Sequence, residues 1–179
     1  VTGEAAGDTA WFISGILPTP LGQAEWLVRN QAKLARPPDL FLILPMVGGC
    51  NPEGLYRDLK RLCDSLGDEF ETCFVVYMRD STLREVYCRL VRESKRVMGI
   101  KIGTSVDDVR PVCEALSGSS SVVWGIGDIS TQAARLGTRG HTSGTALMCI
   151  RAGDEINNAQ RRGDFAASER IEADLRELE

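Results

Sequence analysis

Lys101 stands alone in an apolar run, "VMGIKIG" at residues 97–103. A surface strand carries charge at many alternate positions and a core strand carries none, so one amine between two glycines needs a reason. Side chains alternate along a strand. Met98, Ile100 and Ile102 therefore share one face, bulky enough to lie under helices. Gly99, Lys101 and Gly103 share the other. If that second face points into a barrel, the glycines leave room for the lysine with a ligand beside it. Burial there favours the uncharged amine that a nucleophile needs. The other reading is a strand-end lysine that snorkels to solvent. Tyr77, late in "CFVVYM" at residues 73–78, shares a face with Cys73 and Val75. A buried phenol wants a partner. At the height of an imine-forming amine on a neighbouring strand it can carry protons to and from that imine. Alone, Tyr77 also reads as a core tyrosine; the pair says more than either member.

The elements that must position this pair follow from hydrophobic patterning. Short apolar runs at 11–16, 40–45, 73–78, 97–102 and 122–126, with a weaker one at 141–146, predict strands covered on both faces. Leu55, Leu59, Leu62, Cys63 and Leu66 repeat at helical spacing between two of them. Leu83, Val86, Tyr87, Leu90 and Val91 do the same, as do Val109, Val112, Cys113 and Leu116. Strand and helix in strict alternation predict a parallel sheet with right-handed crossovers. Doubly wound sheets and (β/α)8 barrels both qualify. No G-x-G-x-x-G follows a strand and no Walker loop exists, so nucleotide-binding versions lack support. Turn chemistry ("LPTP", "MVGGCNP", "RDS", "GTS", "GDIS") gathers after the strands, where parallel α/β folds carry their sites. The tail, 146–179, is expected to be helical throughout. Asp164 is its internal N-cap, and Phe165, Ile171, Leu175 and Leu178 form an apolar side.

Together these segments resemble a family. "VVYMRDS", then "GIK", then "LGTRGHTSG" and "RRGDFAASERI" are similar to the dihydrodipicolinate synthase / N-acetylneuraminate lyase superfamily. "LPMVGGCNPEGLY" and "VTGE" extend the likeness over nearly the whole chain. The resemblance implies an α/β (β/α)8 TIM barrel, incomplete here. Strands 3 to 8 of the barrel would span 1–145, with C-terminal helices over 146–179. It implies a class I lyase, an aldolase or dehydratase acting through a Schiff base on a 2-oxo acid such as pyruvate or a 2-keto-3-deoxy sugar acid. Lys101 would form the imine and Tyr77 would relay protons. Thr2 and Gly3 would hold the substrate carboxylate, and Gly125, Gly127, Thr142 and Ser143 would line the same lumen. No metal or organic cofactor is implied, and a homodimer or homotetramer is. Departures are visible. Val1 and Val47 stand where the synthase uses a threonine and a tyrosine, and Thr82 stands where it uses a carboxylate-binding arginine. Arg79 is near that arginine's position but out of register. A relative acting on a different 2-oxo acid is therefore expected. A non-catalytic barrel that binds a small carboxylate is the alternative.

Composition bounds the remaining choices. The chain has 179 residues, 43% hydrophobic and 26% charged, with net charge −4. It carries no basic stripe, so nucleic acid and anionic membrane are not expected partners. No apolar run approaches the roughly 20 residues of a membrane span. No leader pattern is visible, and a cytoplasmic setting is expected. The six cysteines form no C-x-x-C pair, and with a single histidine the Cys/His zinc patterns fail. Cys63, Cys88 and Cys113 are expected as buried free thiols. His141 is expected to be structural.

Overall fold

The apolar runs become six short strands: β1 Ile13–Ile16, β2 Leu40–Ile43, β3 Cys73–Met78, β4 Val97–Ile102, β5 Val122–Ile126 and β6 Gly140–Thr142. The computed structural model describes residues 7, 10–46, 49–119, 121–142 and 149–177. All six strands belong to one sheet, in chain order from β1 to β6. β1 with β2, β2 with β3, and β5 with β6 pair in parallel. Helices alternate with them: α1 Leu21–Gln31, α2 Pro52–Phe70, α3 Arg84–Glu93, α4 Val109–Ala115 and α5 Ser130–Arg135. Two more, α6 Ile150–Arg161 and α7 Phe165–Arg176, follow the last strand. This is the architecture of a partial (β/α)8 barrel.

The chain divides into two compact units. One is Val1–Ile100 with Gly118–Ser121; the other is Lys101–Ser117 with Val122–Glu179. The first unit is organised by α2. Asn51 caps it by accepting from the Gly54 N–H at 2.9 Å, and Pro52 follows, where a missing N–H costs nothing. Leu55, Leu59, Leu62, Cys63 and Leu66 are all buried, as their spacing predicts. Phe41 of β2 and Phe74 of β3 are fully buried and stack with centroids 5.8 Å apart. A Cβ on Gly67 would lie 2.7 Å from Cβ of Arg96, so the glycine lets Arg96 cross the helix and reach Asp68 at 2.8 Å.

The second unit closes on polar atoms. Glu172 of α7 is 5% exposed, and its Oε1 accepts from the Thr131 N–H at 2.8 Å and from the Ser130 hydroxyl. Thr131 Oγ1 and Ser168 Oγ are 2.5 Å apart. Gln160 Nε2 donates to Ser130 Oγ at 2.9 Å and to Ser168 Oγ at 3.2 Å. These bonds join α5, α6 and α7.

Several boundaries differ from expectation. β1 starts at Ile13, and Trp11 is 68% exposed. β2 stops at Ile43, before Pro45, whose missing N–H cannot serve a ladder. Of the 141–146 run only His141 and Thr142 fall within the described residues, and both lie in β6. The tail is not helical throughout. It breaks between Arg161 and Phe165, where Gly163 takes φ +75°, and Asp164 caps α7 by accepting from the Ala167 N–H at 3.0 Å. All six cysteines are free; Cys63 and Cys88 are buried, but Cys113 is half-buried.

Candidate active site

Lys101 lies near the end of β4. Ile100 and Ile102 are fully buried, and the alternate Lys101 is half-buried. Among the described strands Lys101 is the only Lys, Arg, Asp or Glu. The segment that follows is fixed by local hydrogen bonds. Ser105 accepts from the Asp107 N–H at 3.2 Å and starts a 3-10 turn over Val106–Asp108. Thr104 Oγ1 donates to Asp108 Oδ2 at 2.6 Å, and Asp108 is 3% exposed. A buried carboxylate therefore anchors the loop that leaves the lysine strand. Sequence reasoning missed Asp108, although the S-x-D-D spacing after the strand is a helix-start signal.

β3 alternates in the same way. Phe74, Val76 and Met78 are fully buried, and Tyr77 is half-buried on the opposite face. Arg79 Nη1 donates to Tyr77 Oη at 3.2 Å, and its guanidinium lies 5.9 Å from the ring centroid. The arginine set aside as out of register thus contacts the phenol directly. A strand continuing past Met78 would point Arg79 the same way as Tyr77, and that periodicity was the available signal. Tyr87 behaves differently. Burial, with Cys50 and Asp80 adding to it, pushes its phenol up to about 12, which suits a core tyrosine and not a proton carrier.

The remaining expected residues separate. Gly125 sits on β5, but a Cβ there would lie 2.7 Å from Ala133 Cβ and 3.2 Å from the Thr138 side chain. Its side-chain direction points at α5, so it is a packing glycine, and only its backbone could reach a ligand. Register pairs Gly125 with His141 and Ile126 with Thr142. His141 shares the helix-facing side. Its buried Nδ1 has no hydrogen-bond partner, and burial lowers the ring's pKa while Glu172 opposes the shift. Thr142 alternates to the other side and is exposed, and Gly127 opens the 3-10 turn Gly127–Ile129 after β5. Thr2, Gly3, Ser143, Val1 and Val47 lie outside the described residues.

A cavity of about 250 Å3 opens where the loops after β1 and β2 meet the start of α2, lined by Pro18, Thr19, Met46, Cys50, Leu55 and Asp58 among others. Among the described residues no group of three or more His, Cys, Asp or Glu side chains could hold a metal ion. None of the described helices is long and apolar enough to cross a membrane.

No protein-family model and no curated protein sequence matches the chain. Solved structures do match. Dihydrodipicolinate synthase from Aquifex aeolicus superposes with TM-score 0.83 at 20% identity, covering 98% of this chain and 60% of that one. A chloride-inhibited dihydrodipicolinate synthase from Acinetobacter baumannii, complexed with pyruvate, gives 0.80 at 22% identity over 95% and 58%. The sialic acid aldolase of Ruminococcus gnavus gives 0.80 at 15% identity over 98% and 59%. The chain thus has the fold of these proteins and spans about 60% of the length of the first of them.

Proposed function

With a fold held in common with dihydrodipicolinate synthases and a sialic acid aldolase, we propose that the chain carries the Schiff-base machinery of a class I lyase. The observation that supports this best is Lys101, the sole formally charged side chain among the described strands, on the small-residue face of β4. Its unprotonated amine attacks C2 of a 2-oxo acid. The carbinolamine loses water and leaves a protonated imine. The C3–C4 bonding pair then flows into that cation, and a C4 hydroxyl gives up its proton as the aldehyde departs. The enamine takes a proton at C3, and hydrolysis releases the keto acid and the free lysine. In a dehydratase the same electron sink expels a hydroxyl as water. Atoms and electrons balance in both cases without a redox partner.

Tyr77 is the acid and base of these steps, and Arg79, on its hydroxyl, orients the phenol. Thr2 and Gly3 hold the carboxylate, and Gly127, Thr142 and Ser143 line the substrate channel, with Gly125 contributing backbone only. Pyruvate, the ligand of the Acinetobacter baumannii enzyme, is the first substrate to test, and 2-keto-3-deoxy sugar acids are next. A homodimer or homotetramer working in the cytoplasm belongs to the same reading.

Borohydride reduction in the presence of pyruvate tests it. One stable adduct on the Lys101 peptide is expected, with none in Lys101→Arg and an undiminished yield in Lys95→Gln. A folded preparation that takes no adduct at Lys101 would overturn the mechanism. An adduct without turnover on any keto acid would point instead to a carboxylate-binding barrel.

A further inference from the structure

Of the clefts that the proposed mechanism leaves unused, one is lined by cations without acidic partners among the described residues. It has a volume of about 350 Å3, and Thr138, Arg139, Asn157, Gln160, Arg161 and Phe165 line it. Small-ligand sites begin at roughly 300 Å3. Two of these side chains are arginines and none is acidic. The chain as a whole has net charge −4, and Arg29, Arg36, Arg89, Arg96 and Arg135 all meet carboxylates. Arg139 and Arg161 make no ion pair among the described residues. Arg161 lies in the last turn of α6, where the helix dipole favours a cation. That account does not reach Arg139, which lies outside any helix and is fixed by its own N–H to the Val123 carbonyl at 2.9 Å.

The walls of the cleft are held in place. Asn157, Gln160 and Arg161 stand at i, i+3 and i+4 and so share one face of α6. The Gln160 amide is pinned by Ser130 and Ser168. Arg135 lies 4.7 Å over the Phe165 ring and is neutralised by Glu169 at 2.9 Å, so it steadies the ring without adding a free cation. Two uncommitted guanidinium forks, an amide and a hydroxyl around one hollow make a surface for paired anionic oxygens, which guanidinium groups bind bidentately. We infer that this cleft binds a small organic dianion, a phosphate monoester or a dicarboxylate, between Arg139 and Arg161, with Asn157 and Thr138 as neutral donors.

The test uses the full isotope-labelled chain, titrated with inorganic phosphate and with malonate at an ionic strength held constant by chloride. Saturable NMR shifts are expected at the Asn157 and Gln160 side-chain amides and at Nε of Arg139 and Arg161. R139Q/R161Q should weaken binding about tenfold or more, since charge-assisted bonds are lost. R151Q, an exposed arginine on α6 that does not line the cleft, should leave it unchanged. N157L removes one donor without touching charge, should weaken binding severalfold, and serves if the double variant melts early. A preference for phosphate assigns the ester class, and a preference for malonate assigns the dicarboxylate class. Linear, non-saturating shifts, equal affinity in R139Q/R161Q or in N157L, or equal weakening by R151Q would overturn the site. None of these outcomes bears on Lys101.

Discussion

Around α2 a helix is seated by an apolar stripe, whereas α7 is seated by a carboxylate. Leu59, Leu62, Cys63 and Leu66 are at most 2% exposed, and the charged groups of α2 stay at the rim, as in the Lys60–Asp64 pair at 2.5 Å. In α7 the deepest side chains are Ser168 and Glu172, and they meet other polar atoms. The apolar seat is non-directional and tolerates small shifts. The polar seat is directional and fails if one partner is removed, because the other is left dry and unbonded. One kind of fold therefore contains a helix fixed by area and a helix fixed by geometry.

The comparison can be broken at either end. The largest effect is expected at the apolar seat. Leu59→Ala should cost about 2–5 kcal/mol, the range for a cavity in a packed core. Urea denaturation measures it, and a loss below 1 kcal/mol, at the level of a surface change, would show that α2 relaxes freely. Next comes the polar seat. Glu172→Ala leaves the Thr131 N–H and the Ser130 hydroxyl without their acceptor and should cost about 1–3 kcal/mol. Glu172→Gln keeps one carbonyl acceptor and should recover most of that loss in the same melts. If the two variants are equal, charge and not hydrogen-bond geometry holds α7.

The smallest effect is a pH dependence confined to the polar side. Burial lowers the His141 ring below its usual 6.5 in the folded chain. The unfolded chain therefore takes the proton first. The stability held by the neutral ring is complete above 6.5 and is lost as pH falls through that value towards the folded one. The urea midpoint should fall between about pH 7.5 and pH 5.5, and His141→Asn should flatten that fall. Asp39 and Glu93, whose folded values are lowered by Arg36 and by Tyr56, act only below this window.

Much of the fold was legible because strands buried on both faces are continuous apolar runs. β3, β4 and β5 begin and end where their patterns do. The α2 stripe was legible for the same reason at a different period. What was hidden lacked such a period. α1 buries only Ala24 and Val28 while Trp26 is 60% exposed, so its apolar stripe is too narrow to stand out. α5 has six residues, too few to show one. In the site, Lys101 stood out as a charge among apolar neighbours. Arg79 did not, because an exposed arginine after a strand resembles any solvated loop residue. Glu172 was invisible in an acidic helix, where one buried carboxylate looks like its exposed neighbours. The contact of Gly125 with Ala133 was hidden because a glycine has no side chain to mark a face.

That glycine has a mechanical consequence. A Cβ at Gly125 would lie 2.7 Å from Ala133 Cβ, so strand and helix meet here at a distance only glycine permits. Any larger residue at 125 would press on Ala133 and push α5 off β5, just before the turn Gly127–Ile129. The smallest residue in the layer thus sets how closely strand and helix can approach.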